Sequence, residues 1–553
     1  MDVRLGHAPR RRVDGRARRP GGAGHAGGGI AVNAPTRERF DCVVIGSGIN
    51  GLAAAATLAR AERRVLVLEA SEQLGGTAAG EEFHPGYRTV GVHHDAALLR
   101  PLVTRSLDLE RHGLVLRRSP APTVLAGGDG ARLVLHADAD RTREEIAAHS
   151  RRDAESYGAW RAQLGRFRPI VERLLDAPPS DPFEADFAEL GTLAKTGLAL
   201  RLLGGRDMTE FLRILPMSLA DWLGGWFETD LLAAGIAAGG LEGTWMGPRS
   251  EGSVFTWFAH EQSRGPEAVG GPAAVARALL AAARASGVEC RTEAEVRRVC
   301  VEDGGVRGVE LAGGQHLACG AVAAACGPRR ALLDLLPPTA LEPRHADAAG
   351  SIRCRGGIAK LDVALSGPLE LAGHGGPAVE RVCTAEGLEA LERAFDALKY
   401  RRASERPWLD VRVPSHADPT LAPDGHHVLS ILVHNAPADL AGGWDDERRA
   451  ELTGRALDTL TAHAPTLPER VVATRCTTPD QLAERHRLDG GHLYQAERAL
   501  DQALFLRPNA DCGRYATPVG GLFLCGSGSH PPGPASGAAG LLAARAMLAA
   551  RQG

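Results

Sequence analysis

The sequence predicts an α/β protein whose two domains interleave along the chain. A short strand rich in β-branched residues runs into a glycine-rich turn and an alanine-rich helix just after residue 40. A second strand, glycine turn and helix close the chain after residue 521, and strands alternate with helices in between. The 553 residues suit roughly two to four domains at the usual ~100–200 residues each. Because the net charge is only -3, a general nucleic-acid binder is not expected.

The first element is a strand, turn, helix and strand close to the start of the fold. Residues 41–45 predict a buried parallel strand, and residues 52–60 predict a helix with leucines among alanines. Residues 64–68 then predict a second buried strand that ends in Glu69. This order is typical of a Rossmann-like dinucleotide-binding unit.

The glycine turn within this unit explains how it would hold a pyrophosphate. Gly46 permits a sharp bend, Gly48 lets backbone N–H groups approach the ligand, and Gly51 lets the helix pack closely on the strand. The carboxylate of Glu69 is placed to accept hydrogen bonds from ribose hydroxyls, and it would repel a 2′-phosphate. The predicted ligands from this unit are Gly46, Gly48, Ile49, Asn50, Gly51 and Glu69.

A diglycine turn soon after Glu69 indicates which dinucleotide binds. Gly75, Gly76 and Thr77 would let the backbone lie against the ribityl-pyrophosphate part of an extended FAD. No second strand, GxGxxG turn and helix follows in the sequence. We therefore expect one FAD and no built-in nicotinamide site.

Sequence blocks at both ends and in the middle of the chain resemble one known family. Over about residues 40–551 the chain resembles the phytoene desaturase-like flavoproteins, and it is most similar to the branch named pyridine nucleotide-disulphide oxidoreductase domain-containing or phytoene dehydrogenase-related proteins. The blocks are FHPGYR at 83–88, LLRP at 98–101, AKLDVAL at 359–365, GGHL at 490–493, GLFLCGSGSHP at 521–531 and SGAAG at 536–540.

The resemblance implies a two-domain FAD-binding Rossmann-like fold of the glutathione reductase/amine oxidase type, with a discontinuous α+β substrate domain. It also implies that Val296 contacts the adenine through its backbone and that the C-terminal segment returns to the flavin. In that segment we expect Gly526 and Ser527 to form a turn with free backbone donors. We expect Ser536 and Gly537 to open the last helix, with Ser536 as its N-cap.

Two departures from the family pattern bear on the site. Many relatives carry arginines around the diglycine, whereas this chain has Ser71, Gln73 and Thr77 there. The segment Pro532-Gly533-Pro534 replaces a glycine-rich turn and should stiffen the backbone.

The domains are expected to be discontinuous because the FAD elements lie at both ends and in the middle of the chain. The FAD-binding domain is assigned to 39–140, 250–345 and 510–553, and the substrate-covering domain to 141–249 and 346–509. Residues 1–38, with eight arginines and no apolar signal stretch, predict a disordered extension. The cysteine spacings predict neither a dithiol of close neighbours nor a zinc site, so no metal is expected. No run of 18 apolar residues predicts a membrane span, so we expect a cytoplasmic protein, with a peripheral membrane contact left open.

Three residues are candidates for the chemistry. Lys360 lies on an alternating strand, and the chain has only three lysines. Related flavin amine oxidases place a lysine on a comparable strand, where it holds a water against the flavin N5; the alternative is a surface lysine at a strand end. His93 and His530 follow motifs that approach the flavin in the family, and the alternative for each is a structural role.

Together these observations predict an FAD-dependent oxidoreductase that desaturates or oxidises a largely apolar substrate, such as a polyene, isoprenoid or lipid-like molecule. Hydride would pass to flavin N5, and oxygen or a quinone would then accept the electrons. Aromatic residues make up only 4% of the chain, which disfavours the aromatic pair of an amine oxidase and favours a channel lined by Leu and Ala. Three alternatives stay open: a flavin amine oxidase, a redox-neutral polyene isomerase, and a flavoprotein scaffold with no turnover.

Overall fold

The computed structural model describes residues 38–117, 121–180, 187–376 and 378–550, so the predicted N-terminal extension lies outside the described residues up to residue 37. The helices are α1 Ile49–Arg60, α2 Pro101–Leu107, α3 Ala139–Ala147, α4 Arg151–Leu175, α5 Phe187–Leu202, α6 Gly205–Ile214, α7 Leu219–Gly224, α8 Asp230–Leu241, α9 Ser253–Glu261, α10 Gly271–Ala285, α11 Pro343–Gly350, α12 Leu388–Lys399, α13 Asp446–Thr461, α14 Leu467–Arg470, α15 Pro479–His486 and α16 Ala538–Ala550.

The strands are β1 Arg39–Phe40, β2 Cys42–Ile45, β3 Val65–Leu68, β4 Glu82–His84, β5 Tyr87–Arg88, β6 Leu116–Arg117, β7 Thr123–Ala126, β8 Arg132–Leu135, β9 Glu267–Ala268, β10 Glu289–Arg291, β11 Val296–Glu302, β12 Gly305–Leu311, β13 His316–Cys319, β14 Val322–Ala324, β15 Ile358–Leu365, β16 Arg381–Cys383, β17 Leu409–Arg412, β18 His427–His434, β19 Val471–Thr477 and β20 Leu522–Leu524.

A parallel sheet joins the start, the middle and the end of the chain. Its strand order is β10-β3-β2-β14-β20, and every neighbouring pair is parallel. One face, which includes Val44 and Val67, packs on α1, α10 and α16. The other face, which includes Val43 and Leu66, packs on the antiparallel strands β11 to β13. This layered arrangement confirms the predicted Rossmann-like α/β fold.

Close backbone contacts bring the two terminal helices together beside this sheet. A Cβ added to Gly540 of α16 would lie only 1.8 Å from the carbonyl oxygen of Asn50 in α1. The side chain of Asn50 also donates to the Gly533 carbonyl oxygen at 3.2 Å. The N-terminal glycine motif and the C-terminal block therefore meet beside the parallel sheet.

The second sheet has seven strands in the order β19-β15-β18-β17-β16-β7-β8. Its two longest strands are β15 and β18, of eight residues each, and they pair along their whole length. The hairpin β7–β8 also pairs here, although residues up to 140 were assigned from the sequence to the FAD-binding domain. Helix α9, from a segment likewise assigned to that domain, shares an apolar core with α4 and α8. Both elements pack their apolar faces with the helices and strands around the second sheet, which the local pattern of the sequence does not reveal.

Two further features concern the chain as a whole. None of the ten cysteines, all of which lie in the described part of the chain, forms a disulfide bond. Within the part of the chain that the structure describes, no helix combines the length and the apolar character needed to cross a bilayer.

Candidate functional site

A cavity of about 270 Å³ opens at the carboxyl ends of β2 and β3. This is the edge at which open parallel sheets bind their ligands. Seven of the predicted site residues line it: Gly46, Gly48, Glu69, Gly76, Thr77, Val296 and Lys360. We call it the first cavity.

The glycine loop gives this cavity the shape of a pyrophosphate cradle. Gly46 has φ +97°, a conformation that favours glycine, and its N–H donates to the Leu68 carbonyl oxygen at 2.8 Å. The space beside Gly48 is open, whereas a Cβ on Gly76 would lie 3.2 Å from the Gly48 Cα. The first bond into α1 runs from Leu52 N–H to Gly48 oxygen, so the N–H groups before it have no partner within the helix. Backbone donors at the start of a helix, with open space before them, fit the phosphates of a dinucleotide.

The carboxylate of Glu69 organises the loops around the cradle. Its Oε2 accepts from the N–H of Ser47 at 2.9 Å and from the Ser47 hydroxyl at 2.6 Å. Its Oε1 accepts from the N–H and the hydroxyl of Ser71 at 3.1 and 3.0 Å. The Ser47 hydroxyl in turn accepts from Gly75 N–H at 3.0 Å. Glu69 thus ties both glycine turns together at the position predicted for a ribose-binding acid.

The first cavity also contains arginines that the sequence motifs did not identify. Arg330, Arg475, Arg485 and Arg487 line it, and they come from segments far from the glycine loop in sequence. Arg330 and Arg487 both pair with Glu295, at 3.1 and 2.9 Å. Arg475 pairs with Glu81 and Asp362, and Arg485 pairs with Glu81, so each of these arginines is balanced by an acid of the same lining. Only the three-dimensional fold brings them there, and no spacing in the sequence signals it.

The C-terminal turn approaches this cavity through an intervening side chain. A Cβ on Gly526 would lie 2.3 Å from the Oε1 atom of Gln495, and that amide lines the first cavity. The carbonyl oxygen of Ser527 accepts from buried Arg507 at 2.9 Å. Gln495 therefore lies between the predicted turn and the cavity, and no sequence motif identified it.

The cap of the last helix differs from the prediction. Leu541 N–H bonds to the Gly537 carbonyl oxygen, so Gly537, with φ +68°, occupies the cap position that was predicted for Ser536. The Ser536 hydroxyl instead donates to the Gly533 carbonyl oxygen at 3.3 Å. The left-handed conformation at this position favours a glycine over a serine.

Lys360 lies within the central strand β15 and not at an exposed strand end. It is 2% exposed, and its Nζ lies 3.2 Å from Asp362 Oδ1 and donates to the Ser430 hydroxyl. Burial lowers the pKa of Lys360, against the opposing effect of Asp362. Asp362 also pairs with Arg475 at 3.0 Å. Lys360 is thus a buried, paired ammonium that faces the first cavity.

From Lys360 a chain of hydrogen bonds leads away from the first cavity. The Ser430 hydroxyl lies 3.1 Å from His94 Nδ1, and His94 Nε2 lies 3.1 Å from Asp410 Oδ2. Burial lowers the pKa of His94, with Asp410 opposing this effect. Asp410 then pairs with Arg412 at 3.2 Å. We call Lys360, Ser430, His94 and Asp410 the polar chain.

The polar chain ends at another cavity of about 350 Å³, which is lined by Asp410 and Arg412. This second cavity lies between the helices α4, α8 and α9 and the seven-stranded sheet. Its walls combine aromatic rings with charged groups, among them Tyr157, Trp160, Trp257, Trp408, Glu242 and Arg264. The expected Leu and Ala are present in this lining, but the aromatic rings and charged groups beside them were not expected: the residues are Ala121, Leu125, Leu135, Ala137, Leu164 and Ala238. The overall aromatic content is low, but the fold gathers the few aromatic rings in one place.

The two predicted histidines lie in different surroundings. His93 follows Val92, which lines the first cavity, and its Nε2 lies 2.6 Å from Oε1 of Glu242, which lines the second. His530 is bonded through Nε2 to the Leu174 carbonyl oxygen at 2.8 Å, and burial lowers its pKa to about 4. Thus Lys360 and His93 lie between the two cavities, whereas His530 is bonded to the end of α4.

Comparison with known proteins gives consistent matches. Residues 44–101 match the model of the NAD(P)-binding Rossmann-like domain. The chain is 31% identical over 550 residues to "Pyridine nucleotide-disulfide oxidoreductase domain-containing protein 2" of Rattus norvegicus, covering 94% of each chain. It is 27% identical to the hydroxyneurosporene desaturase of Rhodobacter capsulatus, covering 93% of this chain and 99% of that one. Among solved structures, cyclohexylamine oxidase from Brevibacterium oxydans superposes with a TM-score of 0.57 at 16% identity, covering 92% and 98% of the two chains, which shows a shared fold alone.

Proposed function

Since the chain belongs to the phytoene desaturase-like family of oxidoreductases, we propose that it binds FAD in the first cavity and oxidises a largely apolar substrate in the second. The observation that carries this proposal is the polar chain, which connects a dinucleotide-type cradle to a separate cavity with aromatic walls. A cofactor site and a substrate site joined in this way suit a redox enzyme better than a binding scaffold.

The glycine loop and Glu69 would hold the dinucleotide. Backbone N–H groups at Gly48 and the start of α1 would bind the pyrophosphate, and Glu69 would bind the ribose next to it. Thr77 and the backbone of Val296 would flank the remaining parts of the molecule. FAD bound here supplies a two-electron acceptor for hydride from the substrate.

The aromatic walls of the second cavity would hold the apolar body of the substrate. Relatives named as desaturases of hydroxyneurosporene and phytoene support a polyene or isoprenoid as its class. Desaturation removes a proton as well as a hydride, and that proton needs an acceptor. Asp410 lines the cavity as a carboxylate and would accept that proton, and its hydrogen bond to His94 keeps the carboxylate oriented.

Purified protein tests this proposal directly. We expect it to carry flavin, with an absorbance band near ~450 nm that bleaches when an apolar polyene or isoprenoid is added without oxygen. Lys360→Met should slow the bleaching, whereas Lys399→Met, which changes a half-exposed lysine on α12, should not. Protein that carries no flavin, or flavin that only amines bleach, would overturn the proposal.

The proposal also concerns the molecule that accepts electrons from the reduced flavin. We propose oxygen or a quinone, because the sequence shows a single dinucleotide motif and none of the ten cysteines, all of them described, forms a disulfide bond. Reduced enzyme mixed with oxygen, with a soluble quinone or with NADP separates these cases by the rate at which the flavin band returns. If NADP reoxidised the flavin faster than oxygen or the quinone, the proposed acceptor would be contradicted.

A further inference from the structure

The second cavity runs inward from the edge of the seven-stranded sheet. Its mouth lies where β8 ends and α4 faces it, because the exposed residues Ala137, Arg161 and Arg168 line the cavity there. The lining continues over Leu125 of β7 and Cys383 of β16 to β17, which the strand order places three strands inward from β8. Neighbouring strands lie about 4.8 Å apart, so the cavity is about 14 Å deep.

The inner end of the cavity is closed by Trp408, the residue directly before β17. Side chains alternate along an extended strand, and Trp408, Asp410 and Arg412 all line the cavity from the same face of the sheet. The indole of Trp408 is 6% exposed and stacks on the His434 ring, with centroids 3.4 Å apart. It also packs in the apolar core that contains Leu391. These contacts hold the ring in place at the end of the cavity.

A wide groove lies on the other side of the same ring. This outer groove has a volume of about 1010 Å³ and is lined by α12, α13 and the segment that leads into β17. Its apolar residues include Leu391, Trp444 and Leu452. Among the described residues, Trp408 alone lines both the outer groove and the second cavity. One side chain therefore separates the two spaces.

The size of the second cavity limits how much of a chain it can hold. If each heavy atom takes about 30 Å³, the share of one water molecule in the liquid, 350 Å³ holds about a dozen carbons. Any further carbons of a longer chain would stay outside the mouth. Asp410, which would accept the proton, lies two residues from Trp408, or about 7 Å along the strand. The bond that reacts would therefore lie close to the chain end that meets Trp408.

We propose that Trp408 determines how far an apolar chain enters the second cavity. The chain enters end first, its leading end meets the indole, and about a dozen of its carbons are buried. This rests on the proposed function and specifies its substrate as an isoprenoid that is oxidised near one end and not at its middle. Trp408 contacts the substrate as a specificity-determining residue and takes no part in the transfer of hydride or proton.

Binding of two isoprenoid hydrocarbons of different length tests the proposal. Farnesene, a sesquiterpene, and squalene, which has twice as many carbons, are delivered in cyclodextrin and titrated by calorimetry. The enzyme is kept anaerobic and its flavin is reduced beforehand, so that no hydride transfer occurs. Farnesene already fills the cavity, so the wild-type affinities for the two hydrocarbons should agree within about twofold, because affinity follows the apolar area that is buried.

In Trp408→Ala the chain can continue into the outer groove. Squalene should then bind at least about fivefold more tightly than farnesene, because more of its carbons are buried. Oxidised enzyme gives a second measurement, the position of the new double bond in squalene by mass spectrometry. We expect that bond in the terminal isoprene unit for the wild type and further along the chain for Trp408→Ala.

The matched control is Trp444→Ala, because Trp444 lines the outer groove but not the second cavity. This variant should keep the wild-type ratio of the two affinities. Trp408→Leu keeps an apolar side chain in the core, and it should shift the ratio in the same direction as Trp408→Ala even if the alanine variant does not fold.

Four results would overturn the inference. They are a clear preference of the wild type for squalene, a ratio that neither Trp408 variant changes, a wild-type product desaturated at the middle of squalene, and failure of both hydrocarbons to bind. Flavin content and anaerobic bleaching by farnesene are recorded on the same preparations. Enzyme that carries flavin and is bleached, but whose affinity keeps rising with chain length, keeps the proposed function and loses only the limit set by Trp408.

Discussion

Gly51→Ala tests how closely the first helix must pack to form the cofactor cradle. The added Cβ would lie 2.2 Å from the Gly46 carbonyl oxygen and 3.0 Å from the Ala325 Cβ. The first of these is backbone, and Gly46 N–H is bonded to Leu68, so the neighbour cannot move aside without distorting the turn. Overpacking of this kind costs about 1–3 kcal/mol, and the better helix propensity of alanine returns about 1 kcal/mol. We therefore expect a net loss of stability together with weaker flavin binding.

The assay is thermal unfolding followed by circular dichroism, with flavin content measured on the same protein. The matched control is Gly454→Ala in the interior of α13, where a Cβ meets nothing within 4 Å. That change should stabilise the protein by about 0.5–1 kcal/mol, because alanine loses less conformational freedom than glycine. If Gly51→Ala melts at or above the wild-type temperature and keeps its full flavin content, the close-packing argument is refuted.

Three further predictions concern charge and protonation. Lys360→Met removes one partner of Asp362, but Arg475 remains at 3.0 Å. The free energy of unfolding should therefore fall by less than about 3–5 kcal/mol, which is the cost when a buried charge loses its whole partnership. Thermal melts of this variant and of Lys399→Met check the prediction. Glu69→Ala removes four hydrogen bonds around the glycine loops and should weaken FAD binding by about tenfold or more. The measurement is the amount of flavin released on dilution. Unchanged retention of flavin would contradict the role of Glu69 in holding the dinucleotide. Stability should be full above about pH 6.5 and fall as the pH drops towards 4, by up to about 1.4 kcal/mol per pH unit for each histidine that is buried neutral and takes up a proton on unfolding. The histidines whose pKa burial lowers to about 4 are His434, His486, His492 and His530. In His530→Asn the melting temperature should fall less steeply as the pH drops. An equally steep fall in this variant would count against buried neutral histidine as the cause.

The dinucleotide unit could be predicted in detail because its signals are local. Strand, turn and helix follow one another within 30 residues, and the conformation that each glycine permits is needed within that same segment. The predicted helix at 52–60 forms the greater part of α1, and the predicted strands at 41–45 and 64–68 contain β2 and β3. The structure also places Glu69 between the two glycine turns, where its hydrogen bonds join them.

The remainder of the site depends on contacts between segments distant in sequence. Gln495 and the arginines of the first cavity reach it from the second half of the chain, and no spacing rule connects them to the glycine loop. The hairpin β7–β8 looks like any short strand pair until its partner β16 is known. Composition is silent on position for a related reason: a chain with few aromatic residues can still concentrate some of them around one cavity, as Trp160, Trp257 and Trp408 show.

The charged groups between the two cavities call for an explanation other than stability. Arg412 pairs with Asp410 and Asp95, and Asp95 also pairs with Arg264. Buried ion pairs often stabilise a fold less than apolar residues of the same volume would, because desolvation of the charges offsets their attraction. The same wall holds His94 of the polar chain, and a cavity for hydrocarbon alone would need none of these groups. Their cost is understandable if Asp410 takes up the proton that desaturation releases, because Arg412 and His94 then hold its carboxylate in place at the cavity.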